Sequence, residues 1–130
     1  MLLVDCFRIA NCINEPAAKG KPHPRTYGAF PQALGRYVRE KNLMRLEEGI
    51  RKMTSFPASI MRIKNRGLLK EGFFADITIV NPDTIIDCAT YQNPHSFPIG
   101  IDYLIVYGEI AVERDKFKKE SCGKVLKQDI

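Results

Sequence analysis

Three neighbouring side chains, His23, Arg25 and Tyr27, bring an imidazole, a guanidinium and a phenol into one short stretch of sequence. The prolines of this stretch, of which Pro31 is the last, predict a loop, and loops on a rigid scaffold commonly carry binding residues. An arginine guanidinium binds a carboxylate through two parallel hydrogen bonds, and a tyrosine hydroxyl can donate a third. The alternative is structural, with Arg25 paired to a carboxylate of the chain and Tyr27 packed on Phe30.

An aspartate near the start of the chain, Asp5, follows the wholly apolar residues 1–4. Such a run predicts the end of a short buried strand with a polar residue at its tip. The segment that follows contains Cys6 and Cys12, which together with His23 are residue types that bind zinc. Their spacing matches no structural zinc pattern, so free cytosolic thiols are the simpler interpretation.

An amphipathic helix is predicted to hold the His23–Pro31 stretch in place. The residues of its apolar stripe, which recur at helical spacing, are Phe30, Leu34, Tyr37 and Val38. Gly35 inside this helix costs about 1 kcal/mol relative to alanine. We therefore expect close packing against the helix at that glycine.

Two more helices are predicted next. The apolar stripe of the first comprises Leu43, Leu46, Ile50 and Met53. Two i,i+4 ion pairs, Glu47 with Arg51 and Glu48 with Lys52, are expected to stabilise it. Thr54 is expected to cap a third, short helix. The apolar positions of that helix are Phe56, Ile60, Met61 and Ile63.

From residue 67 onward the apolar period changes to two, which predicts strands. The apolar face of the first strand comprises Phe73, Ala75, Ile77 and Ile79. Asp76 is expected to accept a backbone hydrogen bond, and residues 81–83 form a turn. Residues 101–107 and 110–112 predict a hairpin around Gly108. Helices followed by antiparallel strands indicate an α+β fold.

Composition narrows the classes of partner. The chain has 130 residues, enough for one domain, and a net charge of +5. Its densest lysine cluster, in residues 116–127, has Phe117 as its one aromatic, so a solvated tail is favoured over a nucleic-acid surface. No apolar run approaches the roughly 20 residues that span a bilayer. The apolar run 1–4 is too short for a signal peptide, is followed at once by Asp5, and has no basic n-region. We therefore expect a cytoplasmic protein that binds neither nucleic acid nor a membrane.

Several collinear stretches together resemble the C-terminal part of the D-aminoacylases, which are N-acyl-D-amino-acid deacylases of the amidohydrolase superfamily. The resemblance covers about residues 19–115. The stretches that carry it are His-Pro-Arg-Thr-Tyr-Gly at 23–28, Leu-Gly-Arg-Tyr-Val-Arg-Glu at 34–40, Arg-Lys-Met-Thr-Ser-Phe-Pro-Ala at 51–58, residues 67–77, Asn-Pro-His at 93–95, residues 98–101 and Val-Tyr-Gly at 106–108.

The resemblance implies a fold. The family has a (β/α)8 barrel and a small β-sandwich built from both chain ends, and a barrel takes roughly 250 residues. This chain is therefore expected to hold the last barrel strand and the last helices in residues 1–64. The C-terminal half of the sandwich and a basic tail would follow in residues 65–130, without a complete barrel.

The resemblance also implies a chemistry, in which zinc-activated water cleaves the amide of an N-acyl-D-amino acid. Asp5 would be the strand-end aspartate that binds the metal and acts as general base, or a strand-end residue without a catalytic role. His23, Arg25 and Tyr27 would bind the substrate's carboxylate, whereas His95, in an Asn-Pro-His turn, is expected to be structural. The family's other metal ligands have no counterpart among two distant histidines, so we expect no zinc on this chain alone.

Two hypotheses follow. In the first, the chain is part of a zinc hydrolase and works with a partner chain that supplies the rest of the barrel. In the second, it is a non-catalytic, self-associating α+β module from a truncated or degenerate deacylase gene. Open strand edges and half a sandwich would expose apolar surface, so a homodimer or larger oligomer is expected in either case.

Overall fold

Helices precede strands in the structure, a computed structural model that describes residues 20–118 and 123–126. The α+β order is confirmed, and within these residues the sheet is open and does not close into a barrel. Asp5, Cys6 and Cys12 lie outside the described residues. The elements are α1 (Arg25–Gln32), a π-helix (Ala33–Glu40), α2 (Leu46–Met53), α3 (Ser55–Ile60), β1 (Ile77–Val80), β2 (Ile101–Val106), β3 (Glu109–Glu113) and β4 (Lys116–Phe117).

Helix α1 occupies most of the stretch for which the sequence predicted a loop, so that prediction is wrong. The φ of Pro24 is −51°, close to the helical value that its ring imposes, and Gly28 donates to its carbonyl over 3.3 Å. Pro31 lies inside the helix and is buried. Prolines thus stiffen this segment as a helix, with His23 immediately ahead of it.

The π-helix continues directly from α1 and is buried along one side. Leu34 and Val38 are buried, as the apolar stripe predicted, but Tyr37 is 39% exposed and lies near the ammonium of Lys41. The backbone bond from Lys41 to the carbonyl of Arg36 has the i→i−5 spacing of a π-helix. This wider turn changes the angular spacing of side chains, which explains why a stripe drawn for an α-helix misplaces Tyr37.

Gly35 is the point of closest approach between the π-helix and the segment that follows β1. A methyl group on Gly35 would collide with the carbonyl oxygen of Ile85 and would lie 3.2 Å from the Cα atom of Ile86. The Arg39 guanidinium donates to the carbonyls of Pro82, at 3.0 Å, and Ile85, at 2.8 Å. The close packing expected at this glycine is confirmed.

Helix α2 is stabilised by a different set of pairs from the predicted one. Arg51 donates two hydrogen bonds, of 2.7 and 2.9 Å, to Glu48, and Lys52 lies 3.8 Å from the same carboxylate. The Glu48–Lys52 pair is confirmed, whereas Arg51 is bound to Glu48 and not to Glu47. Thr54 stands before α3, but its hydroxyl donates to the carbonyl of Ile50, so it closes α2 and does not cap α3.

Helix α3 turns most of its large apolar side chains to solvent. Ala58 is its buried residue, while Phe56, Ile60 and the adjoining Met61 are between 44% and 63% exposed. We call Phe56, Ile60 and Met61 the α3 surface. Leu43, predicted to lie in the stripe of α2, precedes that helix and is also exposed.

The four strands form one antiparallel sheet in the order β1-β2-β3-β4. Thr78, Leu104 and Val112 pair across β1, β2 and β3 and are almost fully buried. The predicted hairpin around Gly108 is confirmed, and β4 is a short further strand at the start of the predicted basic tail.

The inner face of β1 differs from the predicted one. The register with β2 places Thr78 opposite Leu104 and turns Thr78 and Val80 inward, whereas Ile77 and Ile79 are half-buried. Residues 73–76 lie outside the strand. Hydropathy favoured the more apolar pair, Ile77 and Ile79, but the register with β2 turns Thr78 and Val80 inward, so pairing and not hydropathy selects the inner face.

One contiguous buried cluster joins the helices and the sheet. The helical residues Leu34, Val38 and Met53 belong to the same cluster as Leu104 and Val106 of β2. The connection 84–100 is mostly irregular, as predicted, with a single bridge between Ile86 and Ile99. No helix within the described residues is long and apolar enough to cross a membrane.

Candidate substrate-facing site

Two histidine–tyrosine pairs tie the segment before and within α1 to the irregular segment that precedes β2. Nε2 of His23 lies 3.0 Å from the hydroxyl of Tyr91, and Nδ1 of His95 lies 2.9 Å from the hydroxyl of Tyr27. The rings of both pairs meet edge to face, with centroids 5.2 and 5.6 Å apart. Residues 68 positions apart in the sequence are therefore in contact twice.

The hydrogen bonds fix which nitrogen of each neutral imidazole carries the proton. The backbone N–H of Arg25 donates to Nδ1 of His23 over 3.1 Å, so the proton of that ring is on Nε2 and is donated to Tyr91. Nε2 of His95 lies 3.1 Å from the carbonyl oxygen of Gly20, which can only accept. His95 therefore donates from Nε2 to Gly20 and accepts the hydroxyl proton of Tyr27 at Nδ1.

The ring of Tyr27 packs against two other rings. It meets Phe97 edge to face at 5.4 Å and His95 at 5.6 Å, whereas the structural alternative had named Phe30. The three rings form a small aromatic wall beside the N-terminus of α1. Because His95 holds both Tyr27 and Gly20, its expected structural role agrees with its contacts.

The Arg25 side chain projects from the first residue of α1 into solvent. Within residues 20–118 and 123–126 its guanidinium has no carboxylate partner, so the predicted internal ion pair is absent from this part of the chain. Its backbone, by contrast, is held through the bond to His23. A fixed backbone with an unpaired guanidinium is suited to binding an anion.

A second set of contacts fixes the rest of this helical unit. Nε of Arg36 lies 2.8 Å from Oδ1 of Asp87, and Gln32 donates to the other oxygen over 3.4 Å. The bond from Arg36 to Asp87 raises the pKa of the guanidinium above its ordinary value. A methyl group on Gly28 would lie 2.7 Å from Cβ of Asp87, so the helix sits closely on this residue. Asp87 therefore anchors the helix that presents Arg25.

Sequence patterns singled out His23, Arg25 and Tyr27, and the structure brings His23 and Arg25 into direct contact. It does not show Asp5, which lies outside the described residues. Tyr91 and Asp87 went unnoticed, because both lie in an irregular segment without a period. The sequence feature that could have indicated them is their place in a long irregular segment with prolines and His95, because such segments are often functional.

The described residues do not by themselves form a metal centre. Within residues 20–118 and 123–126, no group of three His, Cys, Asp or Glu side chains is placed to hold a metal ion. Cys88, a half-buried free thiol, has no such group around it in the described part of the chain. The donor set of this region thus does not fit a complete zinc site.

Comparisons with known proteins agree with the motifs. Residues 16–112 match the Amidohydrolase family. N-acyl-D-glutamate deacylase of Alcaligenes xylosoxydans xylosoxydans is 39% identical over 108 residues, which are 83% of this chain and 22% of that protein. D-aminoacylase of the same organism is 37% identical over 106 residues, 82% of this chain and 22% of that protein.

Solved structures of the same group share the fold of this region. The N-acyl-D-glutamate deacylase of Bordetella bronchiseptica, crystallised with zinc and a phosphonate mimic of the tetrahedral intermediate, has a TM-score of 0.69 and 42% identity. The match covers 70% of this chain and 19% of that one. A D-aminoacylase mutant in complex with copper chloride has a TM-score of 0.78 and 36% identity over 82% of this chain and 22% of its own.

The chain spans about a fifth of the length of these relatives. The family match extends over most of the chain, and it includes the segment with His23, Arg25 and Tyr27 as well as the sheet. On this basis the chain belongs to the amidohydrolase family.

Proposed function

We propose that this chain is the C-terminal part of a metal-dependent hydrolase that cleaves the amide of N-acyl-D-amino acids, and that it is inactive by itself. Its 39% identity to an N-acyl-D-glutamate deacylase over 83% of its length carries the proposal. The region corresponds to about a fifth of that enzyme, so in this proposal the rest of the barrel lies outside these 130 residues, and a partner chain is one source of it.

The metal centre of the assembled enzyme lies outside the described residues in this proposal. The related deacylase was crystallised with zinc, and a related D-aminoacylase has a binuclear metal centre. No three ligand-type side chains converge in residues 20–118 and 123–126, which supports placing most of the ligands outside this region. Asp5 stays a proposed metal ligand and general base, as the resemblance implied.

In this proposal the chain contributes the residues that bind the substrate's carboxylate, which are His23, Arg25 and Tyr27. Arg25 binds the carboxylate through its two parallel donors, which its exposure and its lack of a described carboxylate partner support. The Nδ1 atom of His23 accepts the backbone N–H of Arg25, and Tyr27, packed against Phe97, is proposed to line the same site. In this proposal the chain has two parts, of which residues 1–64 derive from the barrel and residues 65–130 derive from the β-sandwich.

Zinc content and hydrolysis of N-acetyl-D-glutamate, measured on the purified chain alone, test the proposal. We expect neither stoichiometric zinc nor turnover. Stoichiometric zinc together with hydrolysis would show that the chain holds a complete catalytic centre, and the proposal of a partner-dependent part would fall.

A second candidate function is a non-catalytic, self-associating module, and the α3 surface favours it. Phe56, Ile60 and Met61 leave large apolar area in water on one short helix. Among the described strands β1 lies at one end of the sheet order, and an edge strand is where another chain can pair. In this alternative a second copy of the chain covers the α3 surface, and the protein forms a homo-oligomer without activity. Restored hydrolysis upon addition of a barrel-supplying chain separates the two candidates.

A further inference from the structure

The tyrosine hydroxyl donates a hydrogen bond in one histidine–tyrosine pair and accepts one in the other. Tyr27 gives its proton to Nδ1 of His95, because His95 uses its own N–H for the carbonyl of Gly20. Tyr91 instead receives the N–H of His23, whose other nitrogen is occupied by the backbone N–H of Arg25. A hydroxyl that accepts one hydrogen bond still has its own proton to donate. Tyr27 and Tyr91 are therefore not equivalent as donors to a ligand.

The proton of Tyr91 is available to a ligand. Tyr91 is 69% exposed, and within residues 20–118 and 123–126 its hydroxyl has no acceptor for that proton. Tyr27 is half-buried between His95 and Phe97. The hydroxyl donor that the sequence analysis assigned to Tyr27 is therefore better assigned to Tyr91.

Tyr91 and Arg25 lie on opposite nitrogens of a single imidazole ring. The backbone nitrogen of Arg25 is 3.1 Å from Nδ1 of His23, and the hydroxyl oxygen of Tyr91 is 3.0 Å from Nε2. One ring therefore joins the backbone of Arg25 to the hydroxyl of Tyr91 through two hydrogen bonds. Both residues are exposed, so a ligand that approaches His23 from solvent is accessible to the Arg25 side chain and to the Tyr91 hydroxyl.

We propose that Tyr91 donates a hydrogen bond to the carboxylate that Arg25 binds, with His23 as the positioning residue between them. The inference rests on the proposed function, since it assigns a further binding residue to the same carboxylate. An ionised acceptor makes such a bond stronger than a neutral one, and an arginine with an adjacent hydroxyl selects a carboxylate over its ester. The ligand class is the carboxylate of an N-acyl-D-amino acid.

Binding of N-acetyl-D-glutamate to the full chain, followed in 1H–15N NMR titrations, tests the inference. Tyr91→Phe removes one hydroxyl from an exposed ring and is expected to weaken binding about three- to tenfold. Tyr37→Phe removes a hydroxyl from the exposed side of the π-helix and is the matched control, with no change expected. The dimethyl ester of the same compound is expected not to bind.

Each outcome has a separate meaning. If Arg25→Met abolishes binding while Tyr91→Phe binds as tightly as the parent chain, the inference is overturned and the proposed carboxylate site stands. If the parent chain does not distinguish the acid from its ester, both are overturned. Equal weakening by Tyr91→Phe and Tyr37→Phe would also refute a specific role for Tyr91.

The tautomer of His23 gives an independent check that needs no ligand. Two-bond 1H–15N correlation spectra of the parent chain are expected to show the proton of His23 on Nε2. A proton on Nδ1 would mean that Tyr91 donates to His23, leaves no proton for a ligand, and overturns the inference. In Tyr91→Phe the same tautomer is expected, because the backbone of Arg25 and not the tyrosine selects it.

Discussion

The guanidinium of Arg66 and the carboxylate of Asp76 form an ion pair in which the two side chains are only 5% and 7% exposed. The rings of Phe74 and Tyr107 lie against the guanidinium, at 4.3 and 4.5 Å from their centroids. Asp76 also accepts the backbone N–H of Tyr107 over 2.9 Å, as the sequence predicted. This cluster fastens the segment after α3 to the turn between β2 and β3.

Arg66→Met should destabilise the fold because it leaves the carboxylate of Asp76 buried without its partner. We expect the free energy of unfolding in urea to fall by about 3–5 kcal/mol. Arg45→Met, at an exposed arginine, is the control and should stay within about 0.5 kcal/mol of the parent. Combining Arg66→Met with Asp76→Asn should recover part of the loss, since the buried charge is then gone. A single variant as stable as the control would contradict a role for this pair.

Gly35→Ala should lower stability although alanine favours helices. The added methyl group meets the backbone of Ile85, which cannot move as a flexible side chain would. Overpacking of this kind costs about 1–3 kcal/mol and outweighs a helix-propensity gain of up to about 1 kcal/mol. We expect a lower unfolding midpoint in urea, whereas Gly123→Ala, with no heavy atom within 4 Å of the added methyl, should be neutral. A stabilised Gly35→Ala would show that the helix does not pack on Ile85.

The stability contributed by Glu48 should depend on pH. Its hydrogen bond from Arg51 holds the pKa of the carboxyl below the ordinary value of 4.5. A carboxyl whose pKa is lower in the folded than in the unfolded chain stabilises the fold above pH 4.5, and this contribution disappears as the pH falls through the folded value. Glu48→Gln should therefore lower the melting temperature slightly at pH 7 and leave it unchanged in strong acid.

Glu47→Gln is the matched control for the pH series. Glu47 precedes Glu48 on the same helix, but Arg51 is bound to Glu48. Its substitution should not shift the melting temperature at either pH. If the loss of melting temperature caused by Glu48→Gln became larger as the pH falls, the result would contradict this hydrogen bond, which requires the loss to disappear in acid.

How far the sequence predicts this fold is clear from individual residues. Leu34 and Val38 follow from helical spacing and are buried, and the hairpin at Gly108 follows from turn chemistry. Tyr37 does not follow, because a π-helix changes the period that the spacing assumes. The inner face of β1 does not follow either, because the pairing of Thr78 with Leu104 turns the less apolar face of the strand inward.

The candidate site divides in the same way. Residue type alone singled out Arg25 and His23, because few side chains bind carboxylates so well. The role of Tyr91 depends on a contact across 68 positions and on the proton of His23, and no local pattern in the sequence encodes either. Tyr27 was assigned a free donor by its type, but its proton is bound to His95.

The α3 surface should mediate self-association when no partner chain is present. We expect sedimentation velocity to show a shift from monomer towards dimer as the chain is concentrated through the micromolar range. Ile60→Lys places a charge in the middle of the exposed apolar set and should keep the chain monomeric. Gln92→Lys, which adds the same charge at an exposed position elsewhere, should not. Equal association of both variants would place the contact on another face, and a monomer throughout would refute the expected oligomer.

Complementation tests the proposed function most directly. An N-acyl-D-glutamate deacylase from which the region matching residues 16–112 has been removed would be mixed with this chain and with zinc, and hydrolysis of N-acetyl-D-glutamate would be followed. We predict no turnover by either component alone, turnover by the mixture, and its loss when the chain carries Arg25→Met. A mixture that forms a complex without hydrolysing the substrate, or hydrolysis that Arg25→Met leaves unchanged, would contradict a carboxylate-binding contribution of this chain to a deacylase.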